Sequence, residues 1–405
     1  MASLFKMTKV TIRERERASG GARTSSNRGI EIRDSQSSQA PSVLLVIDSL
    51  RGGGAERQIS QMANYWARKG WKVALASWSS SDVPDFYVLG PEVIRDHLDI
   101  WSFSRKRTVA PVAAARSVWR LSRLIRRRNP DVVLSFSEAS NVLAVAACKL
   151  TRTRCIVSNR QSPGFVMSAK RRWRLPVAIA YRNADSVVAQ TKAAAEWMNE
   201  KFGLRCDVIP NALRELAPPV APRKKTIVCV GRLDEHKGHD TLIRAFDIIR
   251  KTHRDWRLVI VGDGSMRESL EALCNALNIR EFVDFPGVSS IVEAWMESAG
   301  IFVLPSRFEG FPNVLIEAMA MGAAVISADC PHGPSEIIAD SQDGCLVPVG
   351  DVEQLAASIA DLIKSPARRE ELGAQAQRVR TRYHQDAIMA LWESIVLPRR
   401  NKRAS

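Results

Sequence analysis

The apolar run Val43-Leu-Leu-Val-Ile47 is followed by the three glycines Gly52 to Gly54 and then by a segment with helical spacing. A short run that is apolar on both faces suits a buried parallel strand, because helices cover both sides of such a sheet. The same punctuation repeats. Strand-like segments at 72–77, 131–136, 154–158 and 186–189 alternate with helical periodicity at 111–128, 139–150, 169–183 and 191–202. The pattern breaks over 206–225, "CDVIPNALRELAPPVAPRKK", where four prolines and exposed charge mark a linker. It then restarts, with strands at 226–230, 257–261, 282–285, 301–304 and 324–327, helices at 239–251, 266–277, 290–298 and 313–321, and a helical tail over 352–397.

Strands alternating with helices predict parallel sheets covered on both faces, and 405 residues exceed one ordinary core. The expected fold class is α/β, with two doubly wound Rossmann-like domains facing each other across a cleft. Residues 1–40 read as a disordered basic leader, 41–210 as the N-terminal domain and 211–225 as the linker. Residues 226–380 read as the C-terminal domain, and 381–405 as a helix and basic tail packing back on the N-terminal domain. Open parallel sheets bind ligands outside the carboxyl ends of their strands, which puts the site in the cleft.

An apolar fraction of 45% and a charged fraction of 25% are those of a soluble globular protein. No stretch approaches the roughly 18 apolar residues of a membrane span, and residues 1–40 lack the apolar region of a secretory signal, so a cytoplasmic protein is expected. The seven cysteines include no C-x-x-C pair, so they read as small buried hydrophobes and no metal site is expected.

In "VCVGRLDEHKGHDTLIRAF" a strand ends at Gly231, and Arg232 and Lys237 flank a turn that feeds a helix. Free N–H groups at the helix start with two cations beside them make a diphosphate cradle, although a solvated loop has the same composition. No Asp-x-Asp occurs in the chain, so if a nucleotide diphosphate binds here the two cations take the role of a metal. "SLRGGGAERQ" at 49–58 lacks the spacing of a dinucleotide fingerprint or a P-loop, and its glycines allow either close backbone approach to a ligand or a tight turn.

"SRFEGFPNVLIEAMAMG" at 306–322 places Glu309 in a loop at a strand's carboxyl end and Glu317 on the helix that follows Pro312. Helical spacing puts Val314, Leu315, Ala318 and Gly322 toward the core and Asn313 with Glu317 on a face that can point at the cleft. An acid and nucleophile pair of a glycosidase would need a fixed separation on a rigid framework. The other reading of Glu317 is a carboxylate bonded to backbone near a helix N-terminus.

The combination "SLRGGGAERQ", "VIPNAL", "VGRLDEHKGHDTLIRAF", "VGDGSMRESL", "PSRFEGFPNVLIEAMAMGAAVISADCPHGPSEII" and "DGCLVPVGD" resembles the retaining glycosyltransferases of family 4, over residues 43 to about 395. The "DCPHGPSEII" run is most similar to the branch that extends undecaprenyl-diphosphate-linked glycans, such as the GalNAc transferases. The resemblance implies a GT-B fold, a nucleotide-diphospho-sugar donor, no metal cofactor and a polyprenyl-diphosphate-linked glycan acceptor. It makes Glu309, Arg232 and Lys237 the expected catalytic set, with Arg232 and Lys237 on the diphosphate and Glu309 on the donor sugar. Gly53, Gly54, Gly231, Gly310, Phe311, Pro312 and Asn313 would line the donor site, and Glu317 would bind the ribose hydroxyls. It further implies same-face attack, with the leaving phosphate taking the acceptor proton.

Many members carry a histidine just after the strand that reads here "DVVLSFSEAS"; this chain has Ser135 and Ser137 there and no histidine between His97 and His236. Ser137, Glu138 and Arg160 are the acceptor-side candidates in its place.

The net charge is +16, and residues 101–182 carry 18 cations against two acids. On the helix 111–128, Ala114, Val118, Leu121 and Ile125 form an inward stripe, whereas Arg116, Arg120, Arg123 and Arg127 form a cationic ridge. Arg171, Arg172 and Trp173 in "AKRRWRLPVAIAYR" add to it. A solvated face, anionic lipid and nucleic acid all suit such a surface. The resemblance favours peripheral binding to the inner face of the cytoplasmic membrane, and no RRM, KH or helix-turn-helix signature points to nucleic acid. The rival functions are a basic nucleic-acid-binding protein on an α/β scaffold and a GT-B sugar-nucleotide epimerase.

Overall fold

The computed structural model describes residues 40–99, 110–164, 174–289 and 291–397. The expectations for residues 1–39 and 398–405, and for Arg171, Arg172 and Trp173, lie outside the described residues.

Two parallel sheets organise the chain. The first has β1 (Ser42–Ile47), β2 (Lys72–Ser77), β3 (Ile94–His97), β4 (Val132–Phe136), β5 (Arg154–Ser158), β6 (Ser186–Ala189) and β7 (Asp207–Val208), in the order β3-β2-β1-β4-β5-β6-β7. The second has β8 (Thr226–Val230), β9 (Arg257–Val261), β10 (Val283–Gly287), β11 (Ile301–Leu304), β12 (Ala324–Ala328) and β13 (Cys345–Val347), in the order β10-β9-β8-β11-β12-β13. In β1, Leu44, Leu45 and Val46 have no exposed surface, so both faces are covered as the apolar run required.

Three strands lay outside the sequence reading: β3, β7 and β13. All are sheet edges. An edge strand is covered on fewer sides, so its sequence needs no continuous apolar run: β3 is Ile-Arg-Asp-His with one buried residue, and both residues of β7 are exposed. The stretch read as linker therefore begins with strand pairing, Asp207 beside Val188 and Val208 beside Ala189. Ile209, Asn211, Ala212 and Leu213, just after it, are buried.

The C-terminal helix Gln385–Val396 returns to the first sheet. Trp392 packs against Phe136 of β4 with ring centroids 6.0 Å apart, Arg154 Nη1 donates to the Val396 carbonyl at 2.7 Å, and Tyr65 donates to Asp386 at 2.9 Å. One apolar cluster runs from Ile47 and Phe136 through Phe311, Tyr383 and Trp392 to Phe302, joining the inner faces of both sheets. The outer faces have separate clusters.

Candidate active site

In each sheet the strand order reverses beside the first strand, between β1 and β4 and between β8 and β11. The helices diverge at such a point and leave a crevice at the carboxyl ends. The two crevices face one another around a cavity of about 500 Å³. Gly52 to Arg57 line it after β1, Arg160 to Ser162 after β5, Gln190 after β6 and Asn211 after β7. From the other side come Gly231, Arg232, His236 and Lys237 after β8, and Phe308 to Val314 after β11.

The β8 loop is set by its own backbone. Gly238 has φ +68, and a Cβ there would collide with the carbonyl of Pro305. His239, the next residue, is 2% exposed, with Nε2 3.1 Å from the Arg232 carbonyl and Nδ1 3.5 Å from Cys229 Sγ. A carbonyl only accepts, so Nε2 carries the proton and Nδ1 accepts from the thiol. Burial drives both assignments, pushing the Cys229 thiol up to about 12 and the imidazole down to about 4. A neutral histidine thus holds the backbone at Arg232.

On this framework Lys237 Nζ donates to Glu309 Oε1 at 2.8 Å, and both side chains line the cavity. Arg232 is 72% exposed along its side chain and pairs with Asp234 at 2.9 Å. Asn313 begins the helix Asn313–Ala320 and accepts from Asn211 Nδ2 at 2.7 Å. A Cβ on Gly310 would lie 2.9 Å from the Arg160 carbonyl, so the loop carrying Glu309 lies directly against the backbone of the N-terminal domain.

Glu317 does not line the cavity. It is 2% exposed one turn behind Asn313, where Arg57 donates to its Oε1 and Arg214 Nη2 to its Oε2 at 3.3 Å. Val314, assigned to the core face by periodicity, lines the cavity instead; it neighbours Asn313, and the helix meets the cavity at its first turn.

Of the acceptor-side candidates, only Arg160 lines the cavity. Ser137, with φ +71 at the start of the helix Glu138–Thr151, donates to Asp48 at 2.7 Å. Glu138 is 7% exposed and accepts from Asn159 at 3.2 Å. Both side chains are turned to partners within the N-terminal domain.

The cationic ridge is narrower than its spacing predicted. Arg120 Nη1 donates to the Leu98 and Asp99 carbonyls at 2.5 and 2.8 Å, and Arg127 and Arg128 both bind Asp96 of β3. The unpredicted edge strand partly covers Arg120 and Arg128 and pairs Arg127, which stays exposed together with Arg116, Arg123 and Arg126.

Several cavity residues carried no assigned role in the sequence: Glu56 and Arg57 in "GGGAERQ", Gln190, and Asn211 in "VIPNAL". Charged residues in the first turn of a helix that follows a glycine loop were the available signal for Glu56 and Arg57. Burial raises the Glu56 carboxyl, with Asp48 adding to the shift and Arg232 opposing it. Among the described residues no group of three or more His, Cys, Asp or Glu is placed to hold a metal ion.

Two facing parallel-sheet domains with their switch points opposed across a cleft form the GT-B architecture. The sucrose-phosphate synthase from Thermosynechococcus elongatus shares it, with a TM-score of 0.79 at 20% identity over 87% of this chain and 98% of that one. Residues 52–214 match Glycosyltransferase Family 4 and residues 217–379 match Glycosyl transferases group 1, and the chain belongs to this family and is a glycosyltransferase. It is 30% identical to the lipopolysaccharide core biosynthesis glycosyltransferase LpsD of Rhizobium meliloti, over 67% of this chain and 76% of that protein. It is 27% identical, over 83% of this chain and 92% of that protein, to the GalNAc-alpha-(1->4)-GalNAc-alpha-(1->3)-diNAcBac-PP-undecaprenol alpha-1,4-N-acetyl-D-galactosaminyltransferase of Campylobacter jejuni.

Proposed function

We propose that the protein transfers a hexose or N-acetylhexosamine, with retention, from a UDP-linked donor to a lipid-linked glycan acceptor in polysaccharide or glycoprotein glycan assembly. The observation that carries this reading is the Lys237–Glu309 pair, held at 2.8 Å by the neighbouring β8 and β11 loops on the cavity wall. Lys237 supplies positive charge where a leaving diphosphate develops negative charge, and Arg232 extends it toward solvent. The second oxygen of Glu309 is left to accept from a sugar hydroxyl. These cations do the work of a metal, and the reaction needs none. Binding of the ribose by Glu317 requires Arg57 and Arg214 to move aside, because the carboxylate is buried between them outside the cavity. The acceptor attacks the face from which the diphosphate leaves, and the leaving phosphate takes its proton. Closure of the two domains orients the reactants and excludes water.

The Campylobacter relative, whose name gives a PP-undecaprenol-linked acceptor, supports the lipid-linked substrate. No described helix is long and apolar enough to cross a membrane. Peripheral attachment at the inner face of the cytoplasmic membrane is supported by one face of the N-terminal domain. There exposed Val112 and Trp119 accompany Arg116, Arg123 and Arg126 on the helix Ala110–Arg128, and Leu175 and Ile179 lie exposed on the helix Arg174–Arg182. Both helices pack on the same neighbour, Glu138–Thr151. Apolar and basic side chains on one surface suit an anionic bilayer.

The test incubates purified protein with a panel of UDP- and GDP-sugars and a polyprenyl-diphosphate-linked glycan in EDTA. Acceptor-dependent release of nucleoside diphosphate, with the anomeric configuration kept by NMR, is expected. A requirement for divalent metal, inversion of the anomer, or conversion of the donor without acceptor would overturn the reading.

A further inference from the structure

Four Arg or Lys side chains line the cavity, and three of them have carboxylate partners: Arg57 with Glu317, Lys237 with Glu309 and Arg232 with Asp234. Arg160 is different. It is 8% exposed, and among the described residues no carboxylate lies within ion-pair distance of its guanidinium. Its partners are neutral: Nη1 donates to Ser158 Oγ at 3.3 Å, Nη2 donates to Asn211 Oδ1, and the guanidinium carbon sits 4.3 Å from the centre of the Phe136 ring. Among the described residues Nε, which is buried, has no hydrogen-bond partner.

A buried cation without an anion is costly, and such groups are paired or neutralised in nearly all proteins. Arg160 is under that strain, because burial alone lowers its pKa to about 9. The fixed fork is nevertheless held in place by Asn211, whose Oδ1 also accepts from Gln190 at 2.8 Å. A rigid, desolvated guanidinium on a cavity wall, held by neutral partners and without a carboxylate, matches the bidentate geometry by which arginine binds phosphate.

We infer that Arg160 is the receptor for a phosphate group of a substrate, the anion that completes its charge being carried by the ligand and not by the protein. The inference rests on the reading of the cavity as the meeting place of donor and acceptor. Two sources supply this chemistry, the diphosphate of the lipid-linked acceptor and that of the nucleotide donor. The acceptor is the expected source, since Arg160 belongs to the N-terminal sheet whereas Arg232 and Lys237 stand on the other. Asn211 is a positioning residue. It bonds Arg160 on one side and Asn313, at the start of the cleft-facing helix, on the other, so a phosphate held by Arg160 is linked by one side chain to the donor wall.

The test measures binding of farnesyl diphosphate, UDP and inorganic pyrophosphate to the full chain by calorimetry, for the unaltered protein and for Arg160→Gln. Loss of about tenfold or more in farnesyl diphosphate and pyrophosphate affinity, with UDP unchanged within about twofold, is expected and identifies the acceptor as the source. An equal loss for UDP supports the receptor with the donor as its source. Unaltered affinity for all three overturns the inference. Should the variant fail to fold, tungstate soaked into crystals of the unaltered protein decides: density beside Arg160 supports the inference, and density only at Arg232 and Lys237 overturns it. No arm requires sugar transfer. A protein that binds through Arg160 yet fails to glycosylate a lipid-linked glycan would count against the proposed acceptor and leave the receptor standing.

Discussion

Arg57, at the start of the first sheet's opening helix, donates to Glu317 of the second domain across 260 positions of chain. Glu317 is buried at 2% exposure while Arg57 keeps 19%, so the pair joins the domains at the edge of the cavity. Arg214, from the stretch between the domains, completes the cluster.

Removing one member of such a cluster leaves its partners desolvated without a counter-charge, which costs more than the pair contributes. Glu317→Ala and Arg57→Ala are each expected to lower unfolding stability by about 2 kcal/mol, with the double variant short of the sum by about 1 kcal/mol or more. Urea denaturation of the four proteins gives the coupling, and strict additivity would show that the contact carries no energy.

The Lys237–Glu309 pair predicts a kinetic effect. Lys237→Ala removes the cation nearest the proposed leaving group and should lower kcat/KM by about 10²- to 10³-fold. Arg232→Ala should have a smaller effect, because its charge is 72% exposed and screened. Nucleoside-diphosphate release in steady state reads both, and near-normal turnover of the Lys237 variant would remove it from the catalytic set.

His239 predicts a pH dependence of stability. Its folded pKa is about 4 against 6.5 for the free side chain, so the unfolded chain binds the extra proton between these values. Stability from this group is complete above about pH 6.5 and falls as the pH drops toward 4, by up to about 3 kcal/mol. His239→Gln should be less stable than the unaltered protein at pH 7.5 but lose less on acidification to pH 5. Parallel pH profiles in urea melts would contradict the neutral, buried imidazole.

The exposed arginines separate membrane contact from folding. Replacing Arg116, Arg123 and Arg126 with Ala should weaken sedimentation with anionic vesicles by about fivefold per cation, at about 1 kcal/mol each. Arg127→Ala should instead lower stability by at most about 1 kcal/mol, because Arg127 pairs with Asp96 while remaining 64% exposed. Equal vesicle binding by the triple variant would exclude this face as the contact.

The two sheets, the cleft and the placement of Glu309, Arg232 and Lys237 at strand ends were legible in the chain, because these follow from local periodicity and from the rule that ligands meet parallel sheets at their carboxyl ends. The short edge strands were not. β3 has a single buried residue, and its Asp96 in turn decided which arginines are neutralised by pairing. Charge patterning placed Arg120 and Arg127 on a ridge of free cations; Arg127 is exposed as expected, but sequence spacing records a helix face and not the acceptors that pack against it.

Pairing across the cleft was likewise beyond the sequence. Nothing local links Arg57 with Glu317 or Asn211 with Asn313, since their separations are set by how the two sheets dock, nor Arg160 with Asn211, which the packing of the first sheet's own loops brings together. The chain alone dictated which loops reach the cleft edge, through short-range propensities and burial patterns. Folding and docking decided which of those charges neutralise one another: Arg57 meets Glu317 across the domains, whereas Arg160 is buried among neutral partners of its own domain, because Coulomb and desolvation energies depend on through-space distance, which chain spacing does not encode.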